Sequence, residues 1–491
     1  MWKTFQGAFA EIIKQPKTTA NHYQNMQNHQ NFFLVSIVAV FTFGALYGLA
    51  AEAPTFFSCR PAVSNRCFSS AAVERRLGEV KARLGDAKLA WVFENCFPNT
   101  LDTTVRYQKL ENGDDDTFVI TGDIHAMWLR DSAAQVWPYL PLAKEDPRLQ
   151  ALLRGVVIRQ FKSLALDPYA NAFNFAPTPS PKHADDLTEM KPGVFERKYE
   201  LDSLCYPLRL AHGYWKATGD ATPFGSLWVK TVRTILATMR TEQRHAPSPY
   251  KFQRKAKNSF DTLPLHGRGM PARPIGLIAS SFQPSDDATV FPFLVPSNLM
   301  AVDVLGRAAE ILRSVNRDEK LAAECEALAA EVRAALERHA TVIHPKYGKI
   351  WAFEVDGYGS VRLGDDANVP NLLSLPYIAG IDPKDPVYRN TRAFVLSEDN
   401  PFFFKGTEAE GVGGSHTGSD KVWPMSIILR GLTSERQEEI DLCIKTLVAT
   451  DGGTGFMHES FDVNDSRKFT RTWFAWANTL FGELILHRYG R

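Results

Sequence analysis

The 491-residue sequence predicts an all-α domain, an α/α toroid with short β pieces in its loops, preceded by a single transmembrane helix. Three observations carry this reading. Apolar residues recur at helical spacing in segment after segment from about Ala71 onward, strand-like runs are short and isolated, and residues 32–51 form an uncharged apolar stretch.

Residues 1–31 are a polar tail rich in Asn, Gln and His. Phe32–Ala51, FFLVSIVAVFTFGALYGLAA, carries no charge over about 20 residues, enough for a helix to cross a bilayer. It begins too far from the N-terminus for a cleavable signal peptide and so reads as a signal anchor. That makes the chain a single-pass protein of the secretory pathway, type II, with its folded domain in the lumen. The Ser-, Arg- and Ala-rich stretch after the segment keeps open an alternative, an organelle-targeting peptide for a mitochondrion or plastid. Residues 52–75 read as a stem, where Cys59 and Cys67 form a disulfide or stand as free thiols. Residues 76–491 are the folded domain.

Within it, residues 147–166 set Leu149, Leu152, Leu153, Val156, Val157, Phe161 and Leu164 on one helical face. Residues 202–217 do the same with Leu204, Leu208, Ala211 and Trp215. Further helices are expected at 223–241, 297–314, 318–340, 421–432, 436–449 and 470–488. TFVITGD and KIWAFEVDGYG are the strand-like pieces, too few for a parallel sheet with crossover helices. Successive helical hairpins without heptads or a sequence repeat fit a toroid, with functional loops gathered at one end. The basic, Pro-rich, aperiodic stretch 245–275 reads as a long surface excursion.

Charge names no partner. With a net charge of +1 and a pI near 7.7 there is no electrostatic reason to expect nucleic acid. The six cysteines contain no CxxC pair, so neither a metal nor any other cofactor is expected. The domain is expected to be a monomer. Aromatic residues, 11% of the chain, often sit beside Asp, Asn or Gly, a mixture suited to a pocket for a polar ring.

Residues 120–140, ITGDIHAMWLRDSAAQVWPYL, bring Asp123, His125, Trp128, Arg130 and Asp131 into one loop and first helical turn. Guanidinium and carboxylate can clamp vicinal hydroxyls while an indole covers a C–H face; an ion pair at a helix start explains the pattern equally well. Glu200 and Asp202 open the helix after ERKYE, where capping and the helix dipole are the commoner reason for acidic residues. The pairs Asp286–Asp287 and Asp365–Asp366 could bind a cation, but capping is again the stronger reading and EF-hand spacing is missing. His416 lies in GGSHTGSDKVWP, and His458 and Glu459 follow the loop GGTGFM. Neither GxxxxGK[ST] nor GxGxxG occurs, and a lone His-Glu is not HExxH, so nucleotide binding and zinc peptidase chemistry are disfavoured.

In order, TGDIHAMWLRDS, DPYANAFN, YELDSLCYPL, PSDDA, EVDGYG, DDANVPNLLSLPY and GFMHESF followed by TRTWFAWANTLFGELI run from about Asn95 to Gly490. Together these motifs resemble glycoside hydrolase family 125, exo-acting α-1,6-mannosidases, in its membrane-anchored eukaryotic branch. The resemblance implies an (α/α)6 toroid and metal-independent inverting hydrolysis of terminal α-1,6-linked mannose on a glycan or oligosaccharide. It puts the general acid at Asp202 and the general base at Glu459. Arg130, Asp131, Asn174, Asn368 and His416 line the sugar, with Trp128 as the stacking ring. Inversion calls for two carboxyls about 6.5–9.5 Å apart. Glu200 or Asp131 would raise the Asp202 pKa, and His458 or Arg471 would keep Glu459 ionised.

The alternative is a membrane-anchored glycan-binding protein that keeps the pocket without turnover. Three departures from the family pattern stand out: Ala279 and Gln283 where basic or bulky residues are usual, GVGGSHT around His416, and His125. The first bears on substrate length and the second on the stiffness of the His416 loop. The sequon Asn464-Asp465-Ser466 lies close to Glu459.

Overall fold

The computed structural model describes residues 55–490. The polar tail and the 32–51 segment lie outside the described residues. No helix among the described residues is long and apolar enough to cross a membrane.

The described domain is mostly helical. Several of its helices begin on a side-chain cap: the side chain of Asp86 accepts from Leu89 N, Asp146 from Arg148 and Leu149 N, and Asp318 from Leu321 N. Helix Leu201–Thr218 ends on Gly219 at φ +74°, the left-handed conformation that a Cβ disfavours.

Two kinds of helix alternate along the chain. Leu129–Val136, buried at every residue, and the largely buried Leu201–Thr218, Val295–Ile311, Pro424–Leu432 and Ala475–Tyr489 lie inside. Pro147–Leu166, Ser226–Glu242, Glu319–His339 and Gln437–Ala449 bury one face and expose the other. The inner helices pack in succession. Leu129–Val136 contacts Leu201–Thr218, which contacts Val295–Ile311, while Ala475–Tyr489 contacts both Pro424–Leu432 and Leu129–Val136.

Most expected helices appear within a few residues of their expected ends. The helix expected at 421–432 runs Pro424–Leu432 because Lys421–Val422 pairs as a strand with 461–462. That expected at 470–488 runs Ala475–Tyr489 because Asp465–Thr470 is the second arm of a hairpin with Ser460–Asp462. Helices Ala71–Lys81, Ala87–Cys96 and Pro386–Val395 add to the expected set. Every strand pairing is antiparallel, in sheets of two or three short strands.

Residues 56–60, within the expected stem, lie against the domain. Phe56 stacks on Trp91 at 5.0 Å, Trp91 Nε1 donates to Phe57 O at 2.6 Å, and Cys59 N donates to Asn95 Oδ1 at 2.9 Å. Arg60 reaches the buried Asp102 at 2.7 Å and also binds Glu74. Cys59 and Cys67 are both free thiols. The 245–275 excursion is pinned as well: the buried Tyr250 hydroxyl donates to Arg197 O and accepts from Tyr199 N.

Candidate active site

The starts of three of the buried helices converge on one pocket. Trp128 is the N-cap of Leu129–Val136, Trp423 of Pro424–Leu432 and Phe474 of Ala475–Tyr489, and all three line it. Of the residues expected at the sugar, Trp128, Arg130, Asp131, Asn368, His416 and Glu459 share this wall. Asp202 and Asn174 do not.

Asn174 faces a separate depression beside Phe173 and Phe175, where its Nδ2 donates to Thr178 O and Val194 O. Asn171, three residues earlier, is the buried asparagine next to the site, its Nδ2 3.2 Å from Asp286 Oδ1 and 3.0 Å from Glu196 Oε2. A strand segment, Ala172–Phe173, separates the two, and side chains three apart on extended chain point to opposite faces.

Asp202 is fully buried. Its Oδ2 lies 3.1 Å from Arg130 Nη1, and its Oδ1 has no protein partner. Burial pushes its pKa up, with Arg130 pulling the other way. The carboxyls that reach the pocket are those of Asp131, Asp286 and Glu459.

Asp286 departs from the capping role that its sequence suggested. It holds a left-handed φ of +66°, which favours glycine, and its side chain is 26% exposed on the pocket. Arg130 Nη2 lies 3.3 Å from its Oδ1, and its carboxyl hydrogen-bonds that of Glu200. The neighbouring Asp287 faces the other way and holds the His416 loop. Ser415 Oγ donates to its Oδ2 at 2.6 Å, and His416 Nδ1 lies 3.0 Å from its Oδ1. Burial alone would lower the His416 pKa, but Asp287, Glu459 and Asp286 outweigh it and push the imidazole up to about 9. Burial pushes Asp131 up to about 6 against the opposing charge of Arg130.

Glu459 precedes strand Ser460–Asp462, with Arg471 Nη1 3.6 Å from its Oε1. Arg471 is braced by Asp123, its Nε donating to Oδ1 at 2.8 Å. His458 has a different task from the one expected. It stacks flat on Phe469 at 3.6 Å, and its Nδ1 lies 3.1 Å from Arg471 O, so it stiffens the hairpin behind Glu459.

Trp423, Phe474 and Trp476 were not singled out in the sequence, although TRTWFAWAN carries the signal for the last two: aromatics clustered at a helix start. Ala279 and Gln283 lie away from the pocket. Ala279 is in the core, and Gln283 is buried with Nε2 2.7 Å from Glu354 Oε1, so neither touches the sugar site directly. The glycines of GVGGSHT seat the loop instead of loosening it. A Cβ on Gly414 would lie 2.1 Å from Asp366 Oδ2. No group of three or more His, Cys, Asp or Glu among the described residues could hold a metal ion.

A small pocket with aromatic walls, an Arg–Asp clamp for hydroxyls and paired carboxyls defines a glycosidase. Comparison with known proteins gives the family. Residues 86–486 match the metal-independent α-mannosidase family, GH125. The Meiotically up-regulated gene 157 protein of Schizosaccharomyces pombe is 43% identical over 447 residues, 87% of each chain. A solved metal-independent α-mannosidase from Streptococcus pneumoniae, in a non-productive complex with α-1,6-mannobiose, matches with a TM-score of 0.83 and 43% identity. That match covers 86% of this chain and 99% of the bacterial one. The chain belongs to glycoside hydrolase family 125.

Proposed function

We propose that this protein is an exo-acting, inverting α-1,6-mannosidase that removes terminal mannose from glycans or oligosaccharides, and that its helices form a closed (α/α)6 toroid. The observation that carries the activity is the shared wall of Asp286 and Glu459 in one pocket. Exo action rests on the family resemblance of the motifs that line this pocket. The complex of the bacterial relative supports the α-1,6 linkage.

Glu459, with Arg471 on one side and the His416 charge nearby, takes the role of the carboxylate that removes a proton from water. Asp286 protonates the departing oxygen. This replaces the assignment of Asp202, whose carboxyl is enclosed behind Arg130. Arg130 and Asp131 clamp hydroxyls, Asn368 and His416 add polar contacts, and Trp128 offers a ring face.

The membrane anchor at 32–51 belongs to this reading on sequence grounds, as do the lumenal orientation and the monomeric state, whereas the expected boundary at 76 falls inside helix Ala71–Lys81 and the folded unit begins by residue 55. Incubation with α-1,6-mannobiose, followed by proton NMR of the released sugar, tests the chemistry. β-Mannose appearing first fits inversion, whereas α-mannose appearing first overturns it.

A further inference from the structure

Glu200 sits at the N-cap of helix Leu201–Thr218, yet its side chain caps no backbone N–H of that helix. The usual reason for an acidic residue at this position is therefore absent. Its carboxyl turns instead toward Asp286, to which it is hydrogen-bonded. Two donors bridge the pair. Arg130 places Nη1 2.5 Å from Glu200 Oε2 and Nη2 3.3 Å from Asp286 Oδ1, while Asn171 Nδ2 lies 3.3 Å from Glu200 Oε1 and 3.2 Å from Asp286 Oδ1. Ser203 Oγ donates to Glu200 Oε2 at 2.9 Å.

A carboxyl–carboxyl hydrogen bond requires a proton between its two oxygens. Charge demands the same. Glu200 and Asp202 are fully buried, Asp286 is 26% exposed, and all three contact one guanidinium, so a proton on Glu200 relieves the repulsion within the cluster. The groups facing Glu200 are Arg130 from Leu129–Val136, Asp202 from its own helix, Asp286 from the loop before Val295–Ile311, and Tyr250 from the 245–275 excursion.

We propose that Glu200, buried out of reach of the sugar, stores the proton that Asp286 delivers to the leaving oxygen. The proposal rests on the acid role given to Asp286 above. Burial pushes the Glu200 carboxyl well above the ordinary range against the pull of Arg130. Burial works the same way on Asp286, but Arg130, the Glu200 hydrogen bond, Lys198 and His416 outweigh it and hold that carboxyl low. The resting proton therefore lies on Glu200.

As the bond from the anomeric carbon to the glycosidic oxygen breaks, its electron pair goes to oxygen. The Glu200 proton first crosses the hydrogen bond to Asp286, which then gives it to that oxygen, leaving Glu200 and Asp286 both as carboxylates. Water attacks the anomeric carbon and gives one proton to Glu459. Solvent then takes this proton from Glu459 and returns one to the Glu200–Asp286 pair. Glu200 thus acts through Asp286 and never touches substrate.

The test compares two substrates in the full-length protein: α-1,6-mannobiose, whose leaving group needs a proton, and 2,4-dinitrophenyl α-mannoside, whose leaving group does not. Glu200→Gln is expected to lower kcat on mannobiose about 100-fold, with KM within about threefold, and to cost less than about fivefold on the aryl mannoside. The alkaline limb of its kcat–pH profile moves to lower pH, because Asp286 must then draw its proton from solvent at its own low pKa. Mannose binding by calorimetry should match wild type, which separates this result from a collapsed site. Equal losses on both substrates, or an unchanged pH limb, overturn the proposal. If Asp286→Asn also fails to discriminate the two leaving groups, the acid assignment itself falls, and with it the storage role.

Discussion

The Asp202 carboxylate lies 3.1 Å from Arg130 Nη1, enclosed in the protein, while Arg130 itself lines the pocket. Asp202 thus bears on the sugar only through the guanidinium it helps to hold. Asp286→Asn should lower kcat on mannobiose by about 10²–10⁴-fold, the range for a lost general acid. Asp202→Asn should cost less than about tenfold, since Glu200 and Asp286 still hold Arg130. Steady-state kinetics of the two variants checks the order, and the reverse order would return the acid role to Asp202.

Glu459→Gln should lower kcat by about 10²–10⁴-fold while leaving mannose affinity within a few-fold. The substitution keeps the shape of a side chain whose cationic neighbour Arg471, 3.6 Å away, stays braced by Asp123. Added azide, a nucleophile that needs no base, should restore turnover and give β-mannosyl azide. Absence of such rescue would count against the base role.

Asp131 carries a pH signature. Burial raises its pKa to about 6, against the opposing pull of Arg130, and its hydroxyl-accepting form is the carboxylate. Mannose affinity should therefore weaken as pH falls through about 6. Asp131→Asn should bind weakly at every pH and lose that dependence. Calorimetric titration between about pH 4.5 and 7.5, about one and a half units either side of that pKa, is the check.

The contact between His416 and Asp287 links stability to pH on the alkaline side. The folded pKa of about 9 lies above the ordinary histidine value of 6.5, so the contribution is fully present below about pH 6.5. It is lost as pH rises through about 9. With the imidazole more than a third exposed, solvent screens the pair and the effect is modest. In His416→Gln the fall in Tm between about pH 6.5 and 9 should be shallower than in wild type.

Arg60 anchors the chain just before the first helix of the domain. It is nearly buried against Asp102, itself buried, and also pairs with Glu74, with Arg66 at 3.5 Å as a second cation for Asp102. Removing it leaves a buried carboxylate short of its main partner, and Arg60→Ala should destabilise the domain by about 3 kcal/mol. Urea unfolding measures this. A chain beginning at residue 70 should show the same loss, so activity assays are better run on chains that retain residues 55–69.

Much of the site was legible because local chemistry and position coincide. Trp128, Arg130 and Asp131 lie within one helix start, so any fold that brings that start to the pocket brings all three. Glu459 follows a glycine-rich loop whose conformation is local, with Gly452, Gly453 and Gly455 all at positive φ. Asn368 and His416 likewise ride on short loops that enter the wall directly.

Other assignments depended on contacts between distant segments. Asn171 and Asn174 are equal as residues, and only the strand that joins them to 194–196 decides which one faces the carboxyls. Trp423 and Phe474 read as ordinary helix-flanking aromatics until their helix starts meet at the pocket.

By itself the sequence determined the helical periodicity, the family and most of the pocket-lining residues it named, because these follow from local spacing and short ordered motifs. Only the tertiary structure separated Asp202 from Asp286. Both stand in acidic segments that read as capping, and nothing local tells them apart. The positive φ of Asp286 and the Arg130–Asn171–Glu200 cluster, drawn from three other segments, turn one carboxyl to the pocket and leave the other buried. Exposure and shared protons belong to contacts across 70 or more residues, and no local pattern encodes them.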